Sequence, residues 1–166
     1  MTASELIAAV SPALGQRILD EVHATDKELY RVALAGAAQA KKVRPVFLER
    51  QPKPERHRSM VAALARQDMN VIAGNVISGW LVKNQQALLV DFLNALKIPH
   101  ENGVVENLPE NVDDNELKNA VNLLLEKNQP EIVALYLHAF YSMNEANWPT
   151  LDVLLHEDDR LMLGAR

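Results

Sequence analysis

Cysteine is absent from the 166 residues, and glycine occurs only six times. The first absence excludes iron–sulfur clusters, Cys-type zinc sites, thiol nucleophiles and a disulfide framework, and it suits a reducing compartment. The second leaves few residues for the tight hairpins of a sheet protein, whose turns call for positive φ. Aromatic residues are also scarce, with two Trp, three Tyr and three Phe. No run of about 18 apolar residues passes without a charge or strongly polar group, so no membrane-spanning segment and no membrane contact are expected. Near the amino terminus Glu5 stands where a secretory leader would carry Lys or Arg, and Ser11 and Pro12 break the apolar run. A soluble cytoplasmic protein is the expectation.

What is plentiful is Ala, Leu, Glu, Lys and Gln, all good helix formers. A chain of this length buries roughly 70% of its extended surface on folding, enough for a core without a metal or disulfide staple. The reading is therefore a single all-α domain over residues 1–166, with about seven helices arranged as stacked αα-hairpins. Ser11 followed by Pro12 opens a helix that places Leu14, Ile18, Leu19 and Val22 on one stripe. Thr25 and Glu28 have capping-box spacing ahead of Leu29, Val32, Ala33 and Gly36, so residues 11–42 read as an amino-terminal helical hairpin. Gly36 within ALAGAAQA suggests close backbone approach to a neighbour, since glycine costs about 1 kcal/mol relative to Ala in an exposed helix. Pro45, Pro52 and Pro54 interrupt the pattern and make residues 43–58 a basic, proline-rich connection with room for a short helix. Met60, Val61, Leu64 and Ala65 then share a face, followed by a long stripe of Met69, Ile72, Ala73, Val76, Ile77 and Trp80.

A shift of 44 residues lays LVKNQQALLVDFLNAL (81–96) on LEKNQPEIVALYLHAF (125–140). Six positions are identical, among them Lys83, Asn84 and Gln85 with Lys127, Asn128 and Gln129, and the apolar character of Phe92 and Leu96 recurs at Tyr136 and Phe140. In both copies a helix ends near Lys-Asn-Gln and another starts at once, so 59–97 and 113–144 read as hairpins duplicated at that offset. Apolar residues cover well over half the wheel of 132–143, which should make that helix central. The stretch 98–112 has no helical period and is long for a connection, as functional or mobile loops are. Trp148 and Pro149 open a last helix and tail over 148–163, ending in LMLGAR.

Charge is divided unevenly. Residues 1–83 carry 12 bases and 8 acids, and residues 84–166 carry 5 and 14, so a half of net +4 precedes one of net −9. Lys41, Lys42, Arg44, Arg50, Lys53, Arg56 and Arg58 stand against only Glu49 and Glu55, which makes this stretch the strongest candidate for partner binding. Such a run can neutralise phosphates, so a nucleic-acid-binding protein is one alternative, although Phe47 is the only aromatic in it for base stacking. Phosphate loops, nucleophile elbows and His-Glu-x-x-His patterns are missing. Asp152 and His156 stand four apart, near Asp159, and are weak candidates for holding a hard divalent cation. His100 and Glu101 in the long loop could form an acid–base pair, whereas His138 reads as an exposed surface histidine. A small metal-dependent enzyme is thus the second alternative. With no catalytic constellation and no cofactor motif, the expected role is a non-catalytic protein-interaction or adaptor protein, capable of forming a homo-oligomer.

Overall fold

A computed structural model describes residues 1–164 of the chain, so the last two residues of the LMLGAR tail lie outside the described residues. Among the described residues there are ten α-helices, two 3₁₀ turns and no strand; the only bridge joins Glu101 to Val104. The all-α expectation holds, and the count of about seven is too low. Thr2 and Glu5 form a capping box that opens an additional helix before Ser11, and Pro45 starts a separate five-residue helix. No described helix is long and apolar enough to cross a membrane. The chain divides into two compact units, the first from Met1 to Trp80 and the second beginning at Leu81.

In the first unit α1 (Ala3–Ala9), α2 (Pro12–Thr25), α3 (Lys27–Ala40), α4 (Pro45–Glu49) and α5 (Lys53–Leu64) precede a 3₁₀ turn (Gln67–Met69) and α6 (Asn70–Asn84), within which the unit ends. Helix α5 packs against α1, α2 and α3. Ser11 caps α2 as its spacing predicts, accepting the Leu14 N–H, with Pro12 in the first turn. The predicted capping box at Thr25 does not form: Asp26 is the cap of α3 and accepts the Leu29 N–H, while the Thr25 hydroxyl donates back to the Glu21 carbonyl inside α2. A carboxylate is at least as good a cap as a hydroxyl, so the helix begins one residue later. The buried face of α3 is also rotated from expectation. It runs through Tyr30, Ala33, Leu34, Ala37 and Ala38, leaving Val32 50% exposed. Gly36 serves the predicted purpose, since a Cβ there would meet Ile72 Cδ1 at 2.6 Å and Met69 Cε at 2.9 Å. From α6, Ala73, Val76, Ile77 and Trp80 are buried, and the Trp80 indole N–H donates to Glu21 Oε2 at 2.7 Å.

The second unit contains α7 (Gln86–Ala95), α8 (Asp114–Lys127), α9 (Pro130–Met143), α10 (Pro149–Glu157) and a 3₁₀ turn (Asp159–Leu161). Helix α9 is central as predicted, with Ile132 to Leu137, Ala139 and Phe140 all buried. Phe92 meets Tyr136 and Phe140 edge-on, at ring separations of 5.5 and 5.4 Å, and Phe140 also packs on Trp148 at 5.4 Å. Burial pushes the Tyr136 phenol far up from its ordinary pKa. His138 is not the exposed histidine expected from its wheel position. It is half-buried, because the turn at Asp159–Leu161 folds over it and its Nε2–H donates to the Leu161 carbonyl at 2.9 Å. The long loop is pinned near its end by the Trp148 indole N–H, which donates to the Pro109 carbonyl at 3.0 Å. Asp113 closes it by capping α8.

Two helices end in the same backbone motif without glycine. After α3, Lys42 (φ 58°) donates to Gln39 O and Val43 to Ala38 O; after α7, Lys97 (φ 57°) donates to Asn94 O and Ile98 to Leu93 O. These are Schellman ends with a left-handed lysine where glycine is favoured. Lys97→Gly is expected to raise stability by up to about 1 kcal/mol, since the relief of left-handed strain exceeds the added entropy of the unfolded chain. A rise of a few degrees in thermal unfolding midpoint checks it; a fall refutes it.

Candidate functional site

The basic segment folds as a turn, the short helix α4 and the first turn of α5. Leu48 is the one buried residue of α4, and no side chain caps that helix. Val46 and Phe47 are left 43% and 56% exposed. Lys41, Lys42, Arg44, Arg50, Lys53 and Arg58 are all exposed, whereas Arg56 is half-buried. Lys53 Nζ lies 3.7 Å from Asp20, and Arg56 Nη1–H donates to the Glu49 carbonyl. The segment therefore exposes an apolar pair, Val46 and Phe47, flanked along the chain by exposed cations.

Beneath it lies a polar chain that sequence reasoning missed. His57 of α5 has no exposed surface, and both its nitrogens are bonded. Nδ1 is 2.8 Å from Asp20 Oδ1 of α2, and Nε2 is 2.7 Å from the Tyr30 hydroxyl of α3. An ionised carboxylate can only accept, so Nδ1 carries the proton and Nε2 accepts from the phenol. The His23 ring packs on Tyr30 at 4.2 Å, and the Arg56 guanidinium carbon lies 5.9 Å from the Tyr30 ring centre. Burial holds the His57 pKa below its ordinary value of 6.5; Asp20 opposes this, and Arg56 and Lys53 add to it. Burial lowers His23 as well, with Arg56 the next cause. Burial pushes the Tyr30 phenol up. With no open nitrogen and no exposure, His57 cannot serve a substrate as acid or base, but it joins three helices through one titratable ring. The available signal was the face of α5: one turn back from Met60 and two from Leu64 lies position 57, so a histidine within a run of bases shares the buried stripe.

The other candidates sit in the second unit. His100 is held by two bonds, its Nδ1 accepting the Gly103 N–H at 3.0 Å and its Nε2–H donating to Asn94 Oδ1 at 2.8 Å. It shapes the turn in which Glu101 and Val104 exchange backbone hydrogen bonds. An open depression of about 390 Å³ there is lined by Pro99, His100, Glu101, Val104, Glu106 and Asn107. Asp152 and His156 meet within α10, Nδ1 lying 2.7 Å from the Asp152 carbonyl oxygen and 3.3 Å from Oδ1. Asp159 does not join them: among the described residues no group of three or more His, Asp or Glu side chains could hold a metal ion. The neighbouring Asp158 is bound by Arg160 at 2.7 Å, which lowers its carboxyl pKa.

Comparison with known protein families, with curated proteins and with solved structures finds no match.

Proposed function

We propose that the protein is a non-catalytic helical interaction module whose contact element is α4, and that its partner is a protein segment combining carboxylates with apolar side chains. The observation that carries this is the exposure of Phe47 and Val46 on a helix whose one buried side chain is Leu48, in a stretch that also holds Lys41, Lys42, Arg44 and Arg50. Exposed apolar side chains supply affinity when a partner desolvates them, and the surrounding cations supply orientation and encounter rate. A lone aromatic favours a protein surface over single-stranded nucleic acid, which is bound by successive stacking platforms. The reading extends to a reducing, cytoplasmic setting, supported by the lack of cysteine, and to duplicated hairpins at 59–97 and 113–144. The duplication is supported by α7 and α9, which begin at Gln86 and Pro130, 44 residues apart.

A dye-labelled acidic peptide with interspersed Leu and Phe tests the contact directly, with duplex and single-stranded oligonucleotides alongside. Phe47→Ala is expected to weaken peptide binding about tenfold, equivalent to about 1.4 kcal/mol, with an unchanged circular dichroism spectrum. Arg44→Gln with Arg50→Gln should weaken it and flatten its salt dependence. Oligonucleotide binding tighter than peptide binding, and indifferent to Phe47→Ala, overturns the proposal.

A further inference from the structure

The geometry points to an acid-sensitive latch: the Asp20–His57–Tyr30 chain seats α4 while His57 is neutral and releases it when His57 takes a proton. This rests on the preceding reading only for what release accomplishes, namely loss of the partner from Phe47 and Val46.

The connection from ring to helix is continuous. Tyr30 donates its O–H to His57, its ring meets the Arg56 guanidinium, and Arg56 donates to the carbonyl of Glu49, the last residue of α4. Tyr30 also belongs to α3, the helix on which α4 packs. When His57 is neutral, both of its ring nitrogens and the Tyr30 hydroxyl have complementary partners, whereas Arg56 Nε is buried without one. A proton on Nε2 turns that acceptor into a donor, so the Tyr30 hydrogen must leave the line between them and find a new acceptor in a place only 7% exposed.

Charge acts in the same direction. His57 itself feels Asp20 of α2 and Arg56 and Lys53 of α5, while Lys27 of α3 acts on the neighbouring His23 and Glu49 of α4 on Tyr30. The acids of the two remaining elements against α5 are engaged elsewhere, Glu5 with the Thr2 N–H of its own helix and Asp68 with Arg66. Asp20 is thus the one carboxylate bonded to the ring, opposed there by Arg56 and Lys53, and acid adds an imidazolium at His57 and a second at His23. The element least able to resist is α4, with one buried side chain and no side-chain cap. It leaves before α2, α3 and α5 separate, because those three share the core through Leu14, Ile18, Leu34, Met60 and Leu64.

The test is a pH titration of the whole protein by methyl and histidine-ring NMR, with protons as the only ligand. The Leu48 methyl signals are expected to pass from their folded position to the random-coil position with a midpoint below pH 6.5, coincident with the His57 ring, while the Ile18 and Leu64 methyls stay in place. Asp20→Asn, at a half-exposed site, removes the carboxylate that favours the charged ring and should move both midpoints together to lower pH. His57→Gln should abolish the Leu48 transition; if that variant does not fold, the paired shift in Asp20→Asn decides. Leu48 signals that stay folded through the His57 titration, or that move at a pH unaffected by Asp20→Asn, overturn the latch, as does simultaneous loss of the Ile18 and Leu64 signals. No partner is present in the titration, so its failure leaves the peptide-binding result standing, and the reverse.

Discussion

Phe92→Ala is expected to lower the unfolding free energy by about 3–5 kcal/mol, the largest effect of any single truncation in the second unit. Phe92 has no exposed surface and stands edge-on to both Tyr136 and Phe140, the second of which in turn packs on Trp148. Removing the ring takes away its burial and the two aromatic contacts, and leaves a void walled by rigid rings that cannot close on it. Phe92→Leu keeps most of the volume and should cost about 1.5 kcal/mol or less. Urea unfolding followed by circular dichroism measures both, with Val71→Ala at a 77%-exposed site as the control expected within about 0.5 kcal/mol of wild type. If Phe92→Ala proves as mild as that control, Phe92 does not hold the unit together.

His57→Ala should cost about 2–4 kcal/mol by a different route. The substitution opens a cavity and also deprives the nearly buried Tyr30 hydroxyl of its acceptor. Adding Tyr30→Phe removes the orphaned hydroxyl, so the double variant is expected to be more stable than the sum of the single losses by about 1–2 kcal/mol. Additive losses would show that the phenol and the ring act separately. The pH dependence follows from the direction of the shift. The folded protein holds His57 below 6.5, so the unfolded chain binds the proton more readily and stability rises with pH. The contribution is fully present above about pH 6.5 and is lost as pH falls from there through the lower folded value. His57→Gln should flatten this slope in urea unfolding across that window. A residual slope is expected from His23 and His138, which burial also lowers.

The fold class was legible because helix starts are local chemistry. Ser11 with Pro12, Asp113 and Pro130 do at their positions what their side chains and rings require. Gly36 was legible for the same reason, since a residue without a side chain in a good helix implies a close neighbour. What could not be read was set by tertiary partners. The rotation of α3 that buries Tyr30 and exposes Val32 goes with the bond from Tyr30 to a histidine 27 positions away. His57 was obscured by the bases around it, because charge is counted along the chain while burial is decided by helix face. The loop at 98–112 was recognised by its length, but the bonds that hold His100 in place involve Asn94 in the preceding helix and the Gly103 N–H.

The indole of Trp148 divides that loop in a way that bears on how its length can change over evolution. Between the turn closed by Glu101 and Val104 and the carbonyl held at Pro109, the backbone forms a short bight tethered at both ends. Residues inserted in this span enlarge a loop already closed, where doubling its length costs only about 0.6 kcal/mol in closure entropy. Residues inserted after Pro109 would instead separate the tether from the Asp113 cap and pull one of them out of register. Descendants of this sequence can therefore drift in size at one margin of the loop, while the other keeps its spacing.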